Sequence, residues 1–334
     1  MLALKKKIIT GAATVLMVAL MVGAAELLGE KEIIFPEIAA LAVGALVAPK
    51  LAWKTSRLRM IFFIGLNAVG GVLIVRLLPA PLWLQITAAF LLCQIIYLYS
   101  GTTFAPMISA MVLPVLLGTE SWVYPVAAVC LTGVILLFQL LLEKIGVRQK
   151  ELFTLVPAPG SRELAQGAMR AACVGVLAFL AIGADIRFAI APPLLVAFTE
   201  FTKPGCKARQ TPVKTVLLIF FCALAGAFCR WGLTMQLGIP LTVSAVIAAV
   251  CMLAFLHGFG QFLPPAGAMT VLAMLVPAGT VLFYPLQVLV GASALMLLAK
   301  VLFLARTEES AAGEGNTIIG EEVVLGGEAR KFDD

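Results

Sequence analysis

Three side chains in apolar surroundings are placed to move a proton: Glu37 just after Pro36, Glu200 between Thr199 and Phe201, and His257, the chain's only histidine. A carboxylate on a wet path through an apolar protein can carry a proton or hold a cation, and Glu200 is flanked by Thr199 and Thr202. An imidazole near neutrality can sense or relay protons. A second set suits anion binding with no charged side chain. Ser100, Thr102 and Thr103 precede Pro106, and Gln261 precedes Pro264 and Pro265, each ahead of a short apolar run. Hydroxyl and amide groups there would sit beside the free N–H groups of a helix start, which attract anions. Ser109 and Gly267, one turn further on, are small enough for a ligand or a second backbone to come close.

The elements that must position these groups are apolar helices. The 334 residues are 62% hydrophobic and 13% charged, against about 45–50% apolar in soluble domains. The net charge of +6 does not point to nucleic acid, because Lys and Arg fall in short loops between apolar runs, which is a topology signal. Seven cysteines form no CxxC pair, arguing against a metal or disulfide framework. Neither Ser/His/Asp, HExxH nor paired intramembrane aspartates occur, so the chain reads as no enzyme and as needing no cofactor or metal.

Apolar runs predict about twelve segments: 8–29, 33–53, 59–78, 81–100, 103–118 and 121–142, then 168–184, 187–203, 213–233, 236–257, 262–278 and 280–305. The stretches 103–118 and 262–278 are short and proline-broken; a spanning helix needs about 20 residues. Such segments at matching places in two halves point to a transporter's binding site. The halves repeat: Pro36 answers Pro193, Pro49 answers Pro204, Gly71 answers Gly226, Pro81 answers Pro240, Gly101 answers Gly260, and Tyr124-Pro125 answers Tyr284-Pro285. Offsets that constant indicate a duplication.

If all twelve segments cross, the basic groups at Lys5 to Lys7, Lys50 to Arg59, Lys144 to Arg162 and Lys203 to Lys214 share one side. The positive-inside rule then makes that side and both termini cytoplasmic, in the inner (plasma) membrane, with parallel repeats. The predicted organisation is an all-α polytopic membrane protein of two parallel six-helix repeats. The first repeat is 1–142, an amphipathic cytoplasmic linker 143–166, the second repeat 167–306, and an acidic, Gly-rich, disordered tail 307–334. Lys5 to Lys7 ahead of an apolar run could open a signal peptide, but that run exceeds a usual h-region, and a retained first helix is expected. Glu26 is expected to be exposed, and Arg76 and Arg230 to snorkel.

The stretch Leu263-Pro264-Pro265-Ala266-Gly267-Ala268 resembles the signature of the HPP integral membrane protein family. The helix opening at Pro192-Pro193, the polar loop Lys203 to Pro212 and the helix through Gly226 are similar to it too. Leu263 stands where the family has its histidine, and the first copy keeps only Ala105-Pro106-Met107. The resemblance implies a permease for a small anion such as nitrite. A weaker similarity, in topology and basic loops, is to fusaric-acid-resistance-like aromatic acid exporters, whose soluble domains have no counterpart here.

The expected function is transport of a small solute, preferentially an anion, between the repeats, with a small-molecule or ionic substrate and membrane lipid as partners and room for a homo-oligomer. The rival is a non-transporting scaffold that binds lipid or a partner subunit. It predicts that the carboxylates and hydroxyls face headgroups or water.

Overall fold

In a computed structural model, which describes residues 2–303, the regular structure is all helix, with no strand among the described residues. Eight helices are long and apolar enough to cross a membrane: α1 (Leu2–Leu28), α3 (Arg57–Leu77), α4 (Leu82–Tyr99), α6 (Val123–Lys144), α7 (Ser161–Gly183), α10 (Pro212–Cys229, continued as a π-helix over Arg230–Gln236), α11 (Leu241–Gly258) and α13 (Tyr284–Phe303). The protein is a multi-pass membrane protein. The long helices leave Leu91, Ile95, Leu137, Phe179, Val250 and Leu297 exposed, an apolar exterior suited to lipid and unsuited to water.

Four short helices fill the middle: α2 (Glu37–Ala42, running on as a π-helix through Val43–Val47), α5 (Met107–Leu117), α8 (Pro192–Phe201) and α12 (Pro264–Leu272). A further turn, α9 (Lys207–Gln210), joins α8 to α10. Only 103–118 and 262–278 were expected to be short. The structure adds 33–53 and 187–203, and the reason is proline: Pro36 and Pro49 bracket α2, and Pro192-Pro193 and Pro204 bracket α8. Proline suits a helix start and ends a helix that approaches it. Every residue of α12 and of the α-helical part of α2 is buried, as are all of α5 but Leu117 and all of α8 but Glu200. A helix that is apolar on all sides belongs in an interior.

The same contacts recur across the chain. Within the first half α5 packs on α3 and α3 on α6; within the second, α12 packs on α10 and α10 on α13. Between halves, α1 meets α11 and α4 meets α7, while α2 rests on α12 and α8 on α5. Gly71 and Gly226 let α5 and α12 approach the long helices α3 and α10 at backbone distance. A Cβ on Gly71 would lie 2.2 Å from the Met111 carbonyl oxygen, and one on Gly226 2.1 Å from that of Thr270.

The connections gather at two ends. At the basic end the Lys54 amide donates to Thr103 Oγ1 (2.8 Å), the Val156 amide to the Gly101 carbonyl (3.0 Å), and Arg148 to the Ala48 carbonyl (2.8 Å). At the other end Arg76 donates to the Glu120 carbonyl (2.8 Å), and Arg230 to the carbonyls of Ala273 and Val276. Neither arginine simply snorkels: each ties the chain leaving a short helix to a long one, and Arg76 also stacks on Trp122, 5.1 Å from its centroid. Glu26 does more than face solvent. Its carboxylate accepts from the Leu241 and Thr242 amides and the Thr242 hydroxyl (2.8, 3.0 and 2.7 Å), capping α11 and fastening α1 to the bundle.

Within the stretch 143–166 the backbone changes character. Helix α6 continues to Lys144, α7 begins already at Ser161, and residues 149–160 form an extended strap with no regular structure. Phe153 lies under Arg59, whose guanidinium is 5.6 Å from the ring centroid. The acidic stretch 307–334 lies outside the described residues.

Candidate functional site

Glu37 is the first residue of α2, and its position is set by Pro36, which caps that helix. It is 1% exposed, at the heart of the bundle and not at a wet helix end. The Ser109 hydroxyl of α5, itself fully buried, faces this carboxyl. Neither Glu37 oxygen and not Ser109 Oγ closes a hydrogen bond of ordinary geometry among the described residues. Buried polar groups are nearly always satisfied, so a carboxyl and a hydroxyl left open together are the strongest chemical feature of the interior.

Two phenols flank this pair. Tyr124 of α6 and Tyr284 of α13 are both within electrostatic reach of Glu37. Tyr124 donates to the Ala110 carbonyl of α5 (2.9 Å) and Tyr284 to the Met269 carbonyl of α12 (2.7 Å). Each ring also meets a phenylalanine edge-on, Phe35 at 5.9 Å and Phe188 at 5.6 Å between centroids. The phenols are therefore committed to holding the short helices. Tyr124→Phe and Tyr284→Phe should each cost about 0.6–1.7 kcal/mol, the range for buried hydrogen bonds in membrane helices. Thermal unfolding in detergent checks this, and two variants as stable as the wild type would show the phenols to be idle.

Gly267 brings α12 against α2. A Cβ there would lie 3.2 Å from the Ala39 carbonyl oxygen, from Met252 Sδ and from Val43 Cγ2. Pro106, Pro264 and Pro265 are buried at the starts of α5 and α12. Glu37, Ser109, Pro106 and Gly267 thus belong to the buried zone of the short helices.

The remaining predicted residues lie elsewhere. Ser100, Thr102 and Thr103 sit at the basic end: Ser100 donates to the Tyr97 carbonyl (2.8 Å), Thr102 pairs with Ser100 (2.9 Å), and Thr102 Oγ1 accepts from the Phe104 amide (3.2 Å). Gln261 is held by Thr211 (2.6 Å) and Thr215 (3.3 Å) at the start of α10, so its amide does not point into the bundle core. Thr199 is buried, donating to the Leu195 carbonyl (3.0 Å) and accepting from Gln94 (3.1 Å). Glu200 is half-buried and accepts from Trp53 Nε1 (2.9 Å), a contact that joins the two halves. His257 is exposed; Nδ1 lies 2.8 Å from the Leu253 carbonyl oxygen, and the ring stands edge-on to Phe262 at 5.3 Å.

Two residues escaped the sequence reading. Gln94 and Arg170 are buried in α4 and α7, where Arg170 Nε donates to Gln94 Oε1 (3.0 Å) and Nη1 to Thr202 Oγ1 (3.2 Å). The signal was present: Arg170 stands inside the apolar run predicted from residue 168, and an ionisable residue there is a functional candidate by default.

The end opposite the basic one holds two cavities. One of about 750 Å³ is lined by Asp185, Arg187, Thr280, Phe283 and Gln287. The other, about 200 Å³, shares Arg187 and reaches inward to Ile34 and Tyr124. Comparison of the chain with known protein families, with curated proteins and with solved structures finds no match.

Proposed function

We propose that the protein is a secondary transporter for a small solute, preferentially an anion, that passes between two six-segment halves where the short helices meet. The observation that carries this reading is the Glu37 carboxyl, buried and open beside Ser109 at the contact of α2, α5 and α12. A scaffold has no use for an ionisable group there, since burying one costs several kcal/mol without a compensating role. A carrier does: a carboxyl that accepts a proton as a small anion arrives, and releases it afterwards, couples the solute to the proton gradient.

The recurring contacts of Gly71 and Gly226, and of Tyr124 and Tyr284, support two repeats, and loop charge favours their being parallel, with twelve crossing segments. Placing the basic end in the cytoplasm follows from loop charge. The HPP resemblance of the 263–268 stretch favours a small oxyanion such as nitrite as the solute. The backbone of α5 and α12, with Ser109 and Gly267, would line its route.

Reconstituted into proteoliposomes, the protein should accumulate such an anion faster with an imposed pH gradient than without one. Gly267→Leu, which drives a side chain toward Ala39 and Met252, should lower that uptake about tenfold or more, as misplacement within a fitted site does. Gly267→Ala, a smaller intrusion, serves if the leucine variant does not fold. Uptake unchanged in a folded Gly267 variant removes the route from this zone.

A further inference from the structure

The basic end holds a cavity of about 330 Å³ between α4, α7 and the Lys203 turn, roofed by residues 156–159 of the strap. Arg162, Arg170, Lys203, Thr102, Thr103 and the Tyr97 ring line it. Arg170 is 4% exposed, yet no carboxylate of the described residues lies within ion-pair distance of it. Gln94 and Thr202 fix one edge of its guanidinium, through Nε and Nη1, and both of these partners are neutral.

Two acids stand nearby, and Glu163 itself lines the cavity. Glu163 accepts from the Gly160 amide (2.9 Å) at the start of its own helix, and Glu200 from Trp53. The Lys203 ammonium stands 5.6 Å from the centroid of the Tyr97 ring, on the same side of the cavity. Thr103 Oγ1 accepts from the Lys54 amide, which leaves its own hydrogen free to donate.

A buried guanidinium without a carboxylate is costly unless a counter-charge arrives. An arginine held along one edge, an ammonium and a free hydroxyl on one cavity wall form the donor set that a tetrahedral oxyanion needs, the arginine for a forked contact and the lysine as a point charge. We propose that this cavity binds a phosphate-type oxyanion, on Arg170 and Lys203, independently of the transport route at Glu37. The donor set accepts either a free phosphate or the phosphate of an anionic lipid, since α4 and α7, whose residues line the cavity, also carry exposed apolar side chains such as Leu91 and Phe179.

The protein in nanodiscs of neutral phosphatidylcholine should bind inorganic phosphate in a thermal-shift titration, or else, purified from membranes, retain phosphatidic acid or phosphatidylglycerol in native mass spectra. The first result marks a free ion and the second a lipid headgroup. In either case Lys203→Gln should weaken the binding about tenfold or more, and Arg170→Gln likewise where it folds. Lys300→Gln, at the same end but away from the cavity, should leave it unchanged. No binding of either probe, or equal loss with Lys203→Gln and Lys300→Gln, overturns the site. Uptake that still responds to a pH gradient in Lys203→Gln keeps the two proposals apart.

Discussion

Glu37→Gln is expected to leave the protein folded and to abolish its response to a pH gradient, with driven uptake falling about tenfold or more while solute exchange without a gradient persists. Glutamine keeps the shape and the polarity of the carboxyl, so α2 still begins at Pro36 and still faces Ser109. What it cannot do is take up and release a proton. Because both carboxyl oxygens are buried without a hydrogen bond of ordinary geometry, the native side chain contributes little to the fold as an ion. The variant should therefore be at least as heat-stable as the wild type, by the logic that an unpaired buried charge destabilises. Glu200→Gln is the contrasting case. Glu200 is half-exposed and its bond from Trp53 can be kept by an amide oxygen, so its pH-gradient response should stay close to that of the wild type. Unaltered coupling in Glu37→Gln, or loss in Glu200→Gln alone, would move the proton site away from the centre.

The second large effect concerns how the short helices are held. Gly226→Ala is expected to lower the unfolding temperature sharply, and Gly71→Ala to do so by a similar amount. A methyl on Gly226 would lie 2.1 Å from the Thr270 carbonyl oxygen and 2.8 Å from the Ala273 methyl; one on Gly71 would meet the Met111 carbonyl at 2.2 Å and the Pro114 ring at 2.5 Å. The obstacles are backbone atoms and a rigid ring, which cannot swing aside as a long side chain can. Helices α10 and α12, or α3 and α5, must separate, and overpacking of this kind costs about 1–3 kcal/mol or more. Gly258→Ala is the control, since its added methyl meets nothing within 4 Å, and alanine is favoured over glycine in a helix. A Gly226→Ala protein as stable as that control would show that α10 and α12 are not in backbone contact.

Much of this arrangement was legible as pattern. Long apolar runs separated by basic loops give a multi-pass helical protein, because every backbone polar group in hydrocarbon must be satisfied within a helix. Paired prolines at 264 and 265, and proline at 106, marked two helices too short to cross unaided. The recurrence of Gly71 at Gly226 named two positions that turn out to admit a neighbouring backbone. The starts and stops of α2 and α8 were written in Pro36, Pro49, Pro192, Pro193 and Pro204, but the apolar residues around them disguised short buried helices as ordinary spans. Hydropathy records only that a residue avoids water; lipid and protein interior satisfy it equally.

Which polar residues face one another was decided by the fold alone. Local sequence places Glu37 beside a proline near one membrane surface, and nothing within several residues tells that α5 will bring Ser109 to it while α12 closes behind at Gly267. The grouping of Ser100, Thr102, Thr103 and Gln261 with the central site followed from their nearness to α5 and α12 along the chain. Hydrogen bonds to Tyr97, Phe104, Lys54, Thr211 and Thr215 draw them instead to the basic end. There Arg170, from a different helix, meets Lys203. The sequence by itself determined the class of protein, the helices and the glycines that let them touch, because those depend on local propensity and on transfer from water. The partners of Glu37 and Arg170 depend on contacts between residues about 30 to 75 apart, and only the packing of the short helices and of α4 on α7 makes them neighbours.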